Sequence, residues 1–265
     1  MTLNRNTAST EEISKWDPSP LWPSLQGEDV HVWLANLNQP DSVAGWLFST
    51  LNKEERHKAE RFHFNGDRVH YIASHGILRE ILGRYLRIPP QAILFRFGVK
   101  GKPAIDAENS DETVHFNMAH SGSYALYAIS RRPKTGADIE NVREIIERDQ
   151  IVSQNFSMLE VDTHQNLPPE LQEEAFFNCW TRKEAYIKAI GDGLHKPLDQ
   201  FSVTITPGEP ARLANIAGDP ESASQWTLRG FNPISGYVAA IAVKGVIRNL
   251  ERWMWHISRS EEVGF

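Results

Sequence analysis

Between residues 114 and 140 the chain reads as three β-rich segments, Val114–Met118, Tyr124–Ser130 and Gly136–Glu140, and one long helical run follows at roughly Glu170–Ile190. That order constrains the fold more than any other feature. The helix stops at Gly191 and Gly193, the residue type that adopts the left-handed conformation closing a helix. Upstream lie an apolar run, Val30 to Leu37, that reads as a first strand, and two helices, the second near Arg68–Leu86. In the second, Ile72, Leu78, Ile81, Leu82 and Tyr85 recur near helical spacing, and the pattern ends before Pro89-Pro90. Strand-like runs at Phe201–Ile205, Trp226–Phe231 and Tyr237–Val243 close the chain. Runs of strands with helices set between them, without strict βαβ alternation, predict an α+β fold.

The 265 residues suffice for one large domain or two small ones. Residues 1–27, rich in Ser, Thr, Asn and Pro, are expected to form a loosely held arm. A single cysteine, Cys179, excludes an internal disulfide framework and a cysteine-based zinc cluster. The N-terminus lacks an apolar core of signal-peptide type and no run of 18 apolar residues occurs, so a cytoplasmic location and no membrane partner are expected. A formal net charge of −6 argues against a general nucleic-acid binder. Locally, Lys53, Arg56, Lys58, Arg61 and Arg68 alternate with Glu54, Glu55 and Glu60, which suits a solvated helix face or a small anion site for one phosphate.

Three motifs carry possible chemistry. In Gly136-Ala137-Asp138-Ile139-Glu140, strand alternation puts Asp138 and Glu140 on one face. Paired carboxylates at the end of an apolar strand repel unless a cation lies between them, and oxygen ligands suit Mg²⁺, although an ordinary strand end has the same pattern. In Trp180-Thr181-Arg182-Lys183-Glu184-Ala185-Tyr186-Ile187-Lys188, helical spacing aligns Trp180, Glu184 and Lys188 in one stripe. Glu184 and Lys188 also make a favourable surface pair, but a large Trp in the stripe is odd for a plain exposed face. In Phe116-Asn117-Met118-Ala119-His120-Ser121-Gly122, a strand runs into a tight turn where His120 could donate to a phosphate. The Ser beside His does not make a hydrolase, because neighbours on a strand point to opposite faces and no G-x-S-x-G elbow is present. The histidines show no zinc spacing. Gly98–Pro103 is not a P-loop, yet Lys102 within it could reach a phosphate.

Taken in order, F-N-M-A-H-S-G, G-A-D-I-E and W-T-R-K-E-A-Y-I-K-A-I-G-D-G-L resemble the Sfp-type 4′-phosphopantetheinyl transferases, as do the Gly101–Pro103 turn and the Arg61-Phe62 pair. The resemblance runs from about residue 30 to 245. It implies two pseudo-twofold-related α+β halves, 28–133 and 134–250, followed by a C-terminal tail over 251–265, with coenzyme A bound in the cleft between the halves. By the same resemblance Asp138, Glu140 and Glu184 hold Mg²⁺ against the diphosphate of coenzyme A, and Lys188 contacts those phosphates. His120 and Lys102 bind phosphate groups, Lys58 serves the 3′-phosphate, and Trp180 and Lys183 pack or orient. The implied reaction has a serine of an apo acyl or peptidyl carrier protein attack the pantetheine-side phosphorus while adenosine 3′,5′-bisphosphate leaves. Glu184 is the first choice of base, directly or through water, with Lys188 as the alternative. One chain carrying both halves implies a monomer.

This sequence departs from the family pattern at two points. Ala119 stands where Ser is common before the His, which implies one missing hydroxyl contact to phosphate. His70 lies where a basic residue is common near the adenine. Two other functions fit the same carboxylates: a non-catalytic relative that only binds carrier protein or coenzyme A, and a metal-dependent phosphohydrolase needing no acceptor.

Overall fold

The computed structural model describes residues 15–98, 100–106, 114–191 and 196–257. In chain order the first half contains β1 (Asp17–Pro18), β2 (Asp29–Asn36), α1 (Asp41–Thr50), α2 (Lys53–Glu60), α3 (Asn65–Leu86), β3 (Phe95–Phe97), β4 (Pro103–Ile105), β5 (His115–Ser121) and β6 (Tyr124–Ser130). The second contains β7 (Thr135–Asn141), α4 (Arg148–Asn155), α5 (Met158–Asn166), α6 (Pro169–Ile190), β8 (Phe201–Val203), β9 (Leu213–Ile216), α7 (Pro220–Ser224), β10 (Trp226–Phe231) and β11 (Tyr237–Lys244), and β12 (Asn249–Met254) follows. The α+β expectation holds. Each half sets a 22-residue helix, α3 or α6, against a sheet.

The larger sheet has the order β1-β12-β2-β6-β5 and the smaller β10-β11-β7, and residue alternation packs them face to face. On β2, Val30, Val32 and Leu34 join the core between the sheets, whereas Trp33 and Ala35 join the core under α3. On β11, Ala239, Ile241 and Val243 face the same inter-sheet core, and Val238, Ala240 and Ala242 face α6. Period-two burial of both faces makes each strand a wall shared by two cores. On β7, Ala137 and Ile139 belong to the inter-sheet core, so the alternate residues Asp138 and Glu140 project to the α6 side.

Contact between β7 and α6 is close because Gly136 has no side chain. A Cβ there would collide with the carbonyl oxygen of Ala185 and the amide nitrogen of Ala189, and would come within 3.0 Å of the Ala189 Cα. Gly191 ends α6 at φ 77°, as its glycine signal predicted, while Gly193 lies outside the described residues.

Three sequence expectations change. Three helices, not two, lie between β2 and Pro89-Pro90, and α2 starts with a reciprocal cap in which Asn52 Oδ1 accepts from the Glu55 amide and Glu55 Oε2 from the Asn52 amide. The N-terminal arm is anchored at Trp16, whose indole donates to the Pro233 carbonyl at 2.6 Å and meets the Phe231 ring edge-on, and at the buried Leu25. The C-terminal tail supplies β12, which pairs in parallel with β2, and its Trp253, with Trp255 beyond it, fills the core under α3. Burying two large indoles explains why this segment is not a free tail. No described helix is long and apolar enough to cross a membrane.

Candidate active site

The C-terminal part of α6 is buried except along one line. Between 180 and 188, Thr181, Arg182, Lys183, Ala185, Tyr186 and Ile187 are buried, and the half-buried positions are Trp180, Glu184 and Lys188. The stripe read from the sequence is therefore the face that α6 presents to the β7 carboxylates. Lys183 points the other way. It donates to the carbonyls of Leu198 and Phe201 and pairs with Glu160 at 2.7 Å, both side chains being 1% exposed, so it fastens α6 to α5 and β8. Trp180 stacks on Phe176, with ring centroids 6.1 Å apart.

Asp138 is 4% exposed, and its Oδ1 accepts from the Lys188 ammonium at 2.5 Å. Its other oxygen, Oδ2, has no partner, and neither does Glu184 Oε1. Burial pushes the Asp138 carboxyl up to about 7 against the pull of Lys188, and the negative charges of Glu140 and Glu184 add to the rise. Burial raises the Glu184 carboxyl too, with Glu140 contributing. Glu140 accepts a hydrogen bond from Ser121 Oγ at 2.8 Å, and the Arg143 guanidinium lies 3.9 Å away. Two unpartnered carboxylate oxygens whose charges repel each other are a place where a cation is favourable. Among the described residues, no three His, Cys, Asp or Glu side chains form a ready-made metal cluster. The donor set therefore suits a hard cation that brings further oxygens of its own, as Mg²⁺ does with water and phosphate.

His120, at the exposed end of β5, lies within the field of this group: Lys188 and His70 lower its basicity after burial, and Glu140 opposes them. Lys58 stands further off. Its ammonium lies 5.1 Å from the Tyr71 ring centroid, in a cavity of about 410 Å³ that Tyr71, His75, Asn117, Met118 and Gly101 also line. Burial pushes the His75 imidazole down to about 4, with Lys58 and His120 adding to the fall. His70 is bonded to Asn38 Oδ1 at 2.9 Å.

Lys102 is held by backbone carbonyls. Its ammonium donates to the carbonyls of Thr135 (3.1 Å), Lys188 (2.6 Å) and Ala189 (3.4 Å), and burial lowers it to about 8. An ammonium has three protons and these carbonyls use them all. In this structure the residue ties the last turn of α6 to the start of β7 and favours the negative end of the helix. Sequence reasoning also passed over Ser121. Its role depends on β5 lying beside β7, which no local pattern announces.

A family model described as the 4′-phosphopantetheinyl transferase superfamily matches residues 134–242, and one described as the N-terminal part of 4′-phosphopantetheinyl transferase matches residues 40–132. The two matches meet in the turn joining β6 to β7. The chain is 36% identical over 230 residues to the 4′-phosphopantetheinyl transferase HetI of Nostoc sp., spanning 87% of this chain and 94% of that one. It is 28% identical over 196 residues to the 4′-phosphopantetheinyl transferase Sfp of Bacillus subtilis, covering 74% and 83% of the two chains. Against the human L-aminoadipate-semialdehyde dehydrogenase-phosphopantetheinyl transferase the identity is 27% over 243 residues, covering 84% and 77%.

Proposed function

The chain belongs to the 4′-phosphopantetheinyl transferase superfamily, and from that premise we propose that Asp138, Glu140, Glu184 and Lys188 are the centre at which it works. Its reaction transfers the 4′-phosphopantetheine moiety of coenzyme A to a serine of an apo carrier protein and releases adenosine 3′,5′-bisphosphate. The observation that carries the assignment is the pair of unpartnered oxygens, Asp138 Oδ2 and Glu184 Oε1, on two elements held together at Gly136.

Asp138, Glu140 and Glu184 would hold Mg²⁺, which supplies positive charge for the diphosphate oxygens during transfer. The remaining work falls to the protein. Lys188 neutralises one oxygen of Asp138 and presents its other protons toward the phosphates, and His120 donates from the end of β5. Lys58, in its cavity, takes the 3′-phosphate. Glu184 is the base for the serine proton: its raised carboxyl has proton affinity closer to neutrality than an ordinary carboxylate. Lys188 is the weaker choice, because its ammonium is held as a donor to Asp138. An acyl or peptidyl carrier protein is the acceptor, and the enzyme acts as a cytoplasmic monomer with no nucleic-acid partner, as both halves lie on one chain and its net charge is −6.

Intact-mass spectrometry of an apo acyl carrier protein incubated with the enzyme, coenzyme A and Mg²⁺ tests this. The expected result is a gain of one phosphopantetheine that EDTA abolishes. A gain indifferent to EDTA would remove the metal assignment. Release of free phosphopantetheine without any acceptor would point to the hydrolase instead.

A further inference from the structure

β5 and β7 lie side by side but in different sheets. Side chains stitch them. Asn117 Oδ1 accepts from the Ala137 amide at 2.8 Å, and Ser121 Oγ accepts from the Asn141 amide at 3.1 Å. Two β5 side chains four residues apart thus serve two β7 amides four residues apart. Ser121 does more than Asn117. Having accepted an amide proton, it gives its own to Glu140 Oε2 at 2.8 Å.

We infer that Ser121 is a positioning residue for Glu140, by which the first half of the chain fixes a metal-binding carboxylate belonging to the second. This rests on the metal reading above and deepens it. The geometry is directional, because the Asn141 amide occupies a lone pair of the hydroxyl and leaves its single proton for the carboxylate. A hydroxyl donating to a carboxylate is charge-assisted and stronger than a neutral bond. The other nearby partner of Glu140 is Arg143, 3.9 Å away with its side chain 60% exposed, which holds a carboxylate weakly. With Ser121 in place one oxygen of Glu140 is committed and the other is left for a cation. Without it, the side chain is free to turn toward Arg143 and solvent. Hydrogen bonds that orient a ligand in this way typically alter metal affinity or activity by about 10- to 100-fold.

The test is Mn²⁺ binding to the full enzyme with coenzyme A bound, followed by electron paramagnetic resonance, with coenzyme A affinity measured separately without metal. Ser121→Ala is expected to weaken Mn²⁺ by about tenfold or more, with coenzyme A affinity within about twofold of wild type. Ser121→Thr, which keeps the hydroxyl, should restore Mn²⁺ binding. Mn²⁺ affinity within twofold of wild type in Ser121→Ala, or an equal loss in Ser121→Thr, would overturn the inference. Should Ser121→Ala not fold, Ser121→Cys, a near-isostere with a weaker donor, carries the same comparison, and wild-type affinity there overturns it too. If wild type takes up no Mn²⁺, the metal reading and this inference fall together. Uptake that Asp138→Ala abolishes but Ser121→Ala leaves unchanged removes the role of Ser121 alone.

Discussion

Replacing Gly136 by Ala tests whether the distance between β7 and α6 sets the activity. The new Cβ would meet three backbone atoms of α6, and even the most remote of them, the Ala189 Cα, would be at 3.0 Å. Ordinary carbon–carbon contacts lie at about 3.5–4.0 Å, so that atom alone must retreat by about half an ångström, and the Ala185 carbonyl by on the order of 1 Å. These atoms are backbone of the last two turns of α6 and cannot rotate aside as a side chain does, so that end of the helix must move. Overpacking of this kind costs about 1–3 kcal/mol, and each kcal/mol lowers Tm by about 2–4 °C in a chain of this size, so a drop of roughly 2–12 °C is expected. Activity should suffer more. Glu184 and Lys188 ride on the displaced helix while Asp138 and Glu140 stay on the strand, and a misplacement of about 1 Å can cost about 100-fold in rate. The assay is kcat for carrier-protein modification at saturating coenzyme A, well below the melting point of the variant. Gly45→Ala in α1, where an added Cβ meets nothing within 4 Å, serves as the control and should be neutral or slightly stabilising. A Gly136→Ala enzyme retaining kcat within threefold of wild type would refute the link between this contact and catalysis.

Asp138→Ala should abolish transfer with little change in far-UV circular dichroism, because the Lys188 side chain it releases is already 30% exposed and solvent takes its charge; near-normal turnover would remove Asp138 from the site. Glu184→Gln should lose most activity in the same mass assay, since an amide is no base and a poorer cation ligand. Lys58→Ala should weaken coenzyme A more than 3′-dephospho-coenzyme A in calorimetric titrations, and equal losses would contradict its place at the 3′-phosphate. Ala119→Ser should leave coenzyme A affinity within about twofold of wild type, because Ala119 is packed in the inter-sheet core rather than facing phosphate; tighter binding would show that a hydroxyl there reaches the ligand. His31, 2% exposed, is pushed down to about 4 by burial, and Tyr85, whose oxygen accepts from the Trp33 indole, is free to donate to its Nδ1. The unfolded chain binds a proton at the ordinary value of 6.5, so this residue's contribution is intact above that pH and falls away toward pH 4. At pH 5 the loss is about 2 kcal/mol. Asp138, pushed up to about 7, works in the opposite sense, so the difference in urea midpoint between wild type and His31→Gln at pH 7 and pH 5 isolates the histidine.

The parts of the fold legible in the sequence were those fixed by local periodicity. β5, β6, β7, α3 and α6 follow from alternation, helical spacing and the glycine stop at 191, and the carboxylates and Lys188 follow from the same rules applied to one strand and one helix. β12 was illegible because Asn249-Leu250-Glu251-Arg252-Trp253-Met254 is half polar, and it becomes a strand only through partners more than 200 residues upstream. α4 and α5 were likewise passed over, although Ser157 and Glu160 carry the cap signature that opens α5. At the site, the carbonyl contacts of Lys102 were illegible because its three acceptors lie on β7 and α6, more than 30 and more than 80 residues away. Local rules name the chemistry of a side chain; what it bonds to is decided by tertiary contact.

The parallel pairing of β12 with β2 has a consequence during synthesis. β2 has its neighbour β6 within about a hundred residues, but the other edge of β2 stays open until residues 249–254 have been made. A nascent chain therefore carries an apolar strand with one unpaired edge until those residues emerge, the situation in which strand edges seek wrong partners. The sheet of the first half is finished by a strand that follows the whole second half, so that sheet reaches its final form only once residues 249–254 have emerged.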